Sequence, residues 1–163
     1  MKSLSKTVFV LYLFTLLWLV LFKFSFDLPS VLLDHQTRSL NLIPFVAASG
    51  DNSRELIDNF VVFIPFGLLL SVNLKQTNFW RKLTFVFVFS LAAEVIQFVL
   101  AIGTTDITDI ITNTLGGLFG LALYDFSKKY IDNEKLDRFI VIVGAILLIL
   151  FLLFRFLILR VRY

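Results

Sequence analysis

Five continuous apolar runs mark the chain and predict transmembrane helices. Each run has about 18–21 residues, enough to cross about 30 Å of hydrocarbon at about 1.5 Å per residue. The runs are unbroken, whereas the strands of a membrane β-barrel alternate between apolar and polar positions. The pattern therefore predicts an all-α, polytopic helical bundle in which residues 1–163 form a single domain. The predicted helices cover residues 7–26, 57–74, 83–102, 107–126 and 139–159.

The connection between the first two runs, residues 27–56, is long, and the other connections are short. Within it, residues 40–46 read Leu-Asn-Leu-Ile-Pro-Phe-Val, which is apolar but too short to span a bilayer. A segment of this length is typical of an interfacial or re-entrant element. We therefore expect such a segment in addition to the five helices.

The composition supports a membrane protein and excludes several kinds of site. Hydrophobic residues make up 58% of the chain, against about 45–50% in soluble domains. The chain has no cysteine and one histidine, His35, so thiolate and multi-histidine metal sites are excluded. We expect neither a metal nor another cofactor. We also expect membrane lipids as partners and no nucleic acid, because no soluble stretch is long enough to carry a basic face.

Basic residues gather at one set of helix ends and predict the orientation. Under the positive-inside rule these ends face the cytoplasm, which places the N-terminus there in a multi-pass protein of the cell membrane. Residues 27–56 and the Gly103-Thr104-Thr105 turn then face outward. Three arginines near the C-terminus oppose a fifth crossing, so the last helix either crosses or lies tilted in the interface. The basic residues at the predicted cytoplasmic ends are Lys2, Lys6, Lys75, Arg81, Lys82, Lys128, Lys129, Lys135 and Arg138.

Polar residues inside the predicted helices mark a candidate site. An ionisable residue at the centre of a membrane span costs about 2.5–3.5 kcal/mol and therefore faces a partner, a cavity or water. The predicted topology brings these residues together in the outer half of the membrane, where Arg38 is the expected counter-charge. The candidate ligand-binding residues are Arg38, Asn41, Asp58, Asn59, Glu94, Gln97, Asp106, Asp109 and Asn113.

Each of these residues also has a structural interpretation. Asp106 can cap the fourth helix, and Asp58 can be a solvated helix end. Glu94 and Asn113 can form hydrogen bonds between helices. The fourth helix also carries small residues that let another helix approach closely, either within this chain or in a homodimer. These packing residues are Gly116, Gly117 and Gly120.

The same residues form four ordered elements that resemble the signatures of the VanZ-like family. The resemblance covers roughly residues 38–125. The chain departs from many members because Gly103-Thr104-Thr105 stands where they have an arginine, so an anion-binding role for that arginine is absent. The four elements are Arg38-x-x-Asn41-Leu42-Ile43-Pro44-Phe45, Asp58-Asn59 with Phe63-Ile64-Pro65-Phe66-Gly67, Glu94-x-x-Gln97, and Asp106-x-x-Asp109 with Asn113-Thr114-Leu115-Gly116-Gly117.

The resemblance implies involvement in resistance to teicoplanin-type glycopeptide antibiotics, but it implies no particular reaction. We expect a non-enzymatic protein whose outer cluster binds a lipid-linked envelope component or a lipoglycopeptide. Two alternatives stay open. In one, the protein is an intramembrane enzyme on a lipid-linked envelope substrate, with Glu94 and Asp109 as an acid–base pair or as metal ligands. In the other, it is a small transporter or flippase that uses Glu94 for proton coupling.

Overall fold

A computed structural model describes residues 2–22, 39–45, 52–102 and 104–162. In this part of the chain, five long helices surround an apolar core. Two short strands lie in two of the connections and pair with each other. The helices are α1 (Lys2–Leu21), α2 (Asn52–Asn73), α3 (Phe79–Leu100), α4 (Ile107–Ser127) and α5 (Asn133–Arg162). The strands are β1 (Ser39–Asn41) and β2 (Thr104–Asp106).

The predicted helical bundle is confirmed, because all five helices are long and apolar enough to cross a membrane. Four of the five helices begin earlier than predicted. Helix α1 begins five residues earlier than expected, and α5 extends to 30 residues. The additional residues are mostly polar or basic. They continue the helices beyond the apolar run because backbone hydrogen bonds of a helix do not require apolar side chains.

Helix α5 is one continuous helix that packs beside α1 and α2. Near its C-terminal end, the Arg155 guanidinium lies over the ring of Trp18 in α1, 4.7 Å from the ring centroid. An aromatic face attracts a cation electrostatically. The ring of Phe151 also contacts Trp18, with 6.2 Å between the ring centroids. These contacts give one of the C-terminal arginines a place against α1 within a helix that is long and apolar enough to cross a membrane.

The described part of the expected interfacial or re-entrant segment forms a short strand and a turn. Strand β1 pairs in parallel with β2, with Ser39 opposite Thr104 and Asn41 opposite Asp106. A turn at residues 43–45 follows β1, and Phe45 adopts a positive φ of 61°. The extended form is preferred because pairing with β2 gives hydrogen-bond partners to backbone groups that would have none in a short isolated segment.

The two ends of the bundle differ in character. We call the end that holds β1 and β2, together with the start of α2 and of α4, the ladder end. The opposite end holds the 74–78 and 128–132 connections and most of the basic residues. We call it the lysine end.

Helices α2 and α4 form the most extensive contact in the bundle, and glycines make it possible. A Cβ atom added to Gly116 would overlap the carbonyl oxygen of Phe60, and one added to Gly120 would overlap that of Ile64. From the other side, a Cβ on Gly67 would overlap the carbonyl oxygen of Gly117. The small residues on α4 therefore serve close packing against α2 of the same chain.

Aromatic side chains fill the space beside this close contact. Phe63 and Phe66 of α2 are fully buried, and the ring centroids of Phe66 and Phe89 lie 5.1 Å apart. In addition, the Tyr12 hydroxyl of α1 donates a hydrogen bond of 2.5 Å to the carbonyl oxygen of Val62. The core thus fixes α1, α3 and α4 around α2.

We predict that Gly120→Ala lowers the stability of the protein by about 1–3 kcal/mol, because the added methyl group meets backbone that cannot move aside. Gly144→Ala is the matched control. Its Cβ would lie 3.5 Å from side-chain atoms of Leu69 and Val8, which is an ordinary contact distance. The thermal stability of both variants in detergent, followed by size-exclusion chromatography after heating, measures the difference. Equal stability would contradict the close packing of α2 on α4.

Candidate functional site

The chain reverses sharply between α3 and α4 at the ladder end. Ala101 caps α3 in the left-handed conformation, with a φ of 54°, and the Ile102 N–H donates a hydrogen bond of 3.0 Å to the Gln97 carbonyl oxygen. This arrangement is a common way to end a helix and to satisfy its last carbonyl groups. The turn brings β2 back along the end of α3, so the side chains of the two elements meet.

Glu94 of α3 holds β2 in this position. Its Oε2 atom accepts a hydrogen bond of 3.2 Å from the backbone N–H of Asp106. Its backbone carbonyl oxygen accepts one of 3.4 Å from the Thr105 hydroxyl. The side chain is 1% exposed, and a buried carboxylate needs such donors because burial removes its hydration. Glu94 therefore positions β2, the strand that leads directly into α4.

Asp106 connects three elements. Its Oδ1 atom accepts a hydrogen bond of 2.7 Å from the Thr108 N–H and so caps α4. Its Oδ2 atom accepts one of 3.0 Å from the Asn41 amide of β1. A carboxylate at a helix N-terminus is favoured by the helix dipole. Asp106 and Asn41 are only partly buried, so this pair forms the accessible edge of the cluster.

Asp109 lies one turn further along α4 and faces α2. Its Oδ1 atom accepts a hydrogen bond of 2.9 Å from the Asn59 amide. Both side chains are 4% exposed. Asp109 and Glu94 are therefore two buried carboxylates on neighbouring helices, each bonded to a donor that fixes its direction.

Gln97 and Asn113 bond to other helices. The Gln97 amide donates hydrogen bonds of 3.0 and 3.3 Å to the carbonyl oxygens of Val20 and Leu21. These are among the last carbonyl groups of α1, which have no partner inside their own helix. The Asn113 amide donates a bond of 3.0 Å to the Ser90 hydroxyl of α3. Both residues thus join helices inside the bundle.

The structure brings most of the predicted site residues together at the ladder end, but not all. Asp58 is exposed on α2, whereas its neighbour Asn59 points into the bundle. Arg38, the expected counter-charge, lies outside the described residues. The residues that lie together are Asn41, Asn59, Glu94, Asp106 and Asp109, with Gln97 and Asn113 deeper between the helices.

Sequence reasoning missed the hydroxyl groups of the site. The Thr108 hydroxyl oxygen accepts a hydrogen bond of 3.1 Å from the Phe45 N–H and so ties the turn after β1 to α4. Ser90 and Thr105 are also buried and bonded within the cluster. Serine and threonine in membrane helices often bond to their own helix, so their identity alone gave no signal. Their partners lie on other elements of the fold, so the structure was needed to find them.

The arrangement offers carboxylate and amide oxygens at its accessible edge. Such acceptors suit a ligand that carries hydroxyl, amide or ammonium donors. Within the described ranges, no three Asp, Glu, His or Cys side chains are grouped so as to hold a metal ion. Around the edge, the side chains of Leu42 and Ile43 are 64% and 63% exposed. The site is therefore polar within an apolar rim.

We predict that a double-mutant cycle of Asn59→Ala and Asp109→Ala shows coupling. Each single change leaves a buried group without one partner, and removing a hydrogen bond to a charged group costs about 1.5–3 kcal/mol. The double change costs less than the sum of the two. Unfolding in a denaturing detergent titration gives the free energies. Asp58→Ala, at the exposed neighbouring position, is the control and should be close to neutral; additive effects at Asn59 and Asp109 would contradict the pairing.

The chain is similar to known proteins over most of its length. The family model described as VanZ/LLP1 matches residues 9–128. Protein VanZ from Enterococcus faecium is 56% identical over 154 residues, which cover 94% of this chain and 94% of that protein. No solved structure matches the chain. The match to the family model covers well over half of the chain and includes every residue of the ladder-end cluster. The chain therefore belongs to the VanZ/LLP1 family.

Proposed function

We propose that this protein contributes to resistance against teicoplanin-type lipoglycopeptide antibiotics. The proposal rests on the resemblance to VanZ-like proteins and on the extensive identity with Protein VanZ. In this proposal the protein acts by binding, at the ladder end, the polar part of a lipid-linked envelope component or of the antibiotic itself.

The proposed orientation places the ladder end in the outer leaflet of the cell membrane, with the N-terminus in the cytoplasm. Lysine and arginine residues concentrate at the lysine end, and such residues are retained on the cytoplasmic side. The antibiotic reaches the membrane from outside the cell, and the completed envelope precursors are exposed on the outer face of the membrane. The ladder end is therefore the end that a ligand of this kind would reach.

One observation carries the binding proposal: polar acceptors lie beneath an apolar rim at the end of the bundle. Asn41 and Asp106 form the accessible polar edge, and the exposed side chains of Leu40, Leu42 and Phe45 belong to β1 and to the residues that follow it. A molecule with both sugar or peptide groups and an acyl chain matches this arrangement. Its donors would bond to the acceptors while its acyl chain lies along the apolar residues.

The second candidate is an intramembrane enzyme on a lipid-linked envelope substrate. It is favoured by the two buried carboxylates, Glu94 and Asp109, on neighbouring helices. Binding is preferred because the hydrogen bonds described for both carboxylates fix the fold, through β2 and through Asn59. Glu94→Gln separates the two candidates. The glutamine keeps an acceptor oxygen for the Asp106 N–H but cannot take up and release a proton as an acid–base catalyst does.

We predict that expression in a susceptible Gram-positive host raises the minimum inhibitory concentration of teicoplanin and leaves that of vancomycin unchanged. The Glu94→Ala, Asp109→Ala double variant should lose this rise, because β2 and α4 lose their anchors. Asp58→Ala, which removes an exposed carboxylate at the same end, should keep it. A tag measures the level of each variant in the membrane, and monodispersity in detergent shows that the variant is folded.

The outcomes separate the proposals. No rise with the wild-type protein present in the membrane would overturn the resistance function. A rise that Asp58→Ala also abolishes would show that surface charge, and not the buried cluster, is responsible. A rise that survives in Glu94→Gln supports binding, whereas its complete loss in this well-folded isostere would favour acid–base catalysis or proton-coupled transport.

A further inference from the structure

A second feature lies at the opposite end of the molecule. Between α1, α2 and α5 at the lysine end is an open cavity of about 750 Å³. This volume falls within the range of about 300–1,000 Å³ that is usual for sites of small ligands. The cavity shares no residue with the ladder-end cluster, so it is independent of the function proposed above.

The cavity has a wall fixed by hydrogen bonds. The Ser5 hydroxyl of α1 donates a bond of 2.9 Å to the Asn73 side chain of α2, and the Asn73 amide donates one of 2.8 Å to the Leu69 carbonyl oxygen. On the α5 side, Asp137 accepts a bond of 2.9 Å from the Tyr124 hydroxyl and forms an ion pair with Lys75. Ser5 and Asp137 are 8% and 7% exposed. The three helices are thus held in a fixed arrangement around the opening.

The cavity lies at the boundary of the membrane. The spanning parts of the three helices are Ser3–Leu21, Arg54–Asn73 and Asn133–Leu157. The lining residues come from the N-terminal parts of the first and third of these spans, from the end of the second, and from residues 74–77 of the connection that follows it. This is the depth at which the polar headgroups of a leaflet lie, between the hydrocarbon and water.

The lining combines an apolar part with balanced charges. Val72 and Val141 supply apolar surface. Lys75 and Asp137 neutralise each other in their ion pair. Lys6 and Glu134, which are both exposed, add one charge of each sign. The lining therefore carries two cations and two anions, although the lysine end as a whole is basic.

We propose that this cavity binds the headgroup of a phospholipid that has a phosphate and a primary ammonium group, as in phosphatidylethanolamine. The phosphate pairs with Lys6 and the ammonium with Glu134, while the upper acyl carbons lie against the valines. An anionic headgroup is disfavoured by the two carboxylates. A choline headgroup is disfavoured because quaternary ammonium groups are bound by aromatic cages, and the lining residues that the structure describes include no aromatic side chain.

The test uses the full-length protein, purified in detergent and stripped of lipid. Native mass spectrometry measures the binding of phosphatidylethanolamine, phosphatidylglycerol and phosphatidylcholine with identical acyl chains. We expect phosphatidylethanolamine to bind most tightly. Lys6→Gln and Glu134→Gln should each weaken it by about tenfold, which is the loss of one charge-assisted hydrogen bond.

Lys129→Gln is the matched control, because Lys129 is an exposed lysine at the same end that does not line the cavity. The Lys129→Gln variant should bind phosphatidylethanolamine as tightly as the wild-type protein does. Tightest binding of phosphatidylglycerol, weakened to the same extent by Lys6→Gln and Lys129→Gln, would overturn the proposal and show a general basic surface. Unchanged phosphatidylethanolamine binding in Lys6→Gln and Glu134→Gln would also overturn it. All four proteins must be monodisperse, which the exposure of the three substituted side chains favours.

Discussion

The structure depends on one constraint: polar groups at membrane depth must find partners inside the protein, since hydrocarbon offers none. The bond from the Asp106 N–H to the Glu94 carboxylate is the clearest case, because it joins the end of one spanning helix to the start of the next. Gln97 meets the same need for α1 by bonding to its last carbonyl groups. The polar residues that first suggest a ligand site are therefore also the residues that assemble the bundle.

Close packing of α2 and α4 provides the geometry in which these bonds form. The glycines allow the two backbones to approach until carbonyl groups contact glycine Cα atoms, and this brings Asn59 within hydrogen-bond distance of Asp109. In a membrane, association of helices relies on packing and polar contacts, because lipid is as apolar as the helix surface. The glycine face of α4 is covered within the chain and is therefore not available to a second copy.

The sequence was sufficient to predict the helices and the end of the bundle where the polar cluster lies. The lengths of the apolar runs gave the five helices, and helical spacing placed Glu94 and Asp109 at the same end. Three features could not be predicted from the sequence. The pairing of β1 with β2 joins residues about 65 positions apart, as the bond from Asn41 to Asp106 shows, and no local pattern encodes such a register. The capping of α1 by Gln97 depends on how two helices are arranged in space. The exposure of Asp58 beside the buried Asn59 depends on the rotation of α2, which adjacent polar residues do not specify.

The parallel register of β1 and β2 restricts how the gene can change length. Side chains alternate between the two faces of a strand, so a shift of one residue turns every side chain to the other face. Glu94 and Asp106 are twelve positions apart, and one codon inserted into the turn between them would rotate Asp106 away from both α3 and Asn41. Among natural relatives, insertions and deletions should therefore be rare between residues 94 and 109.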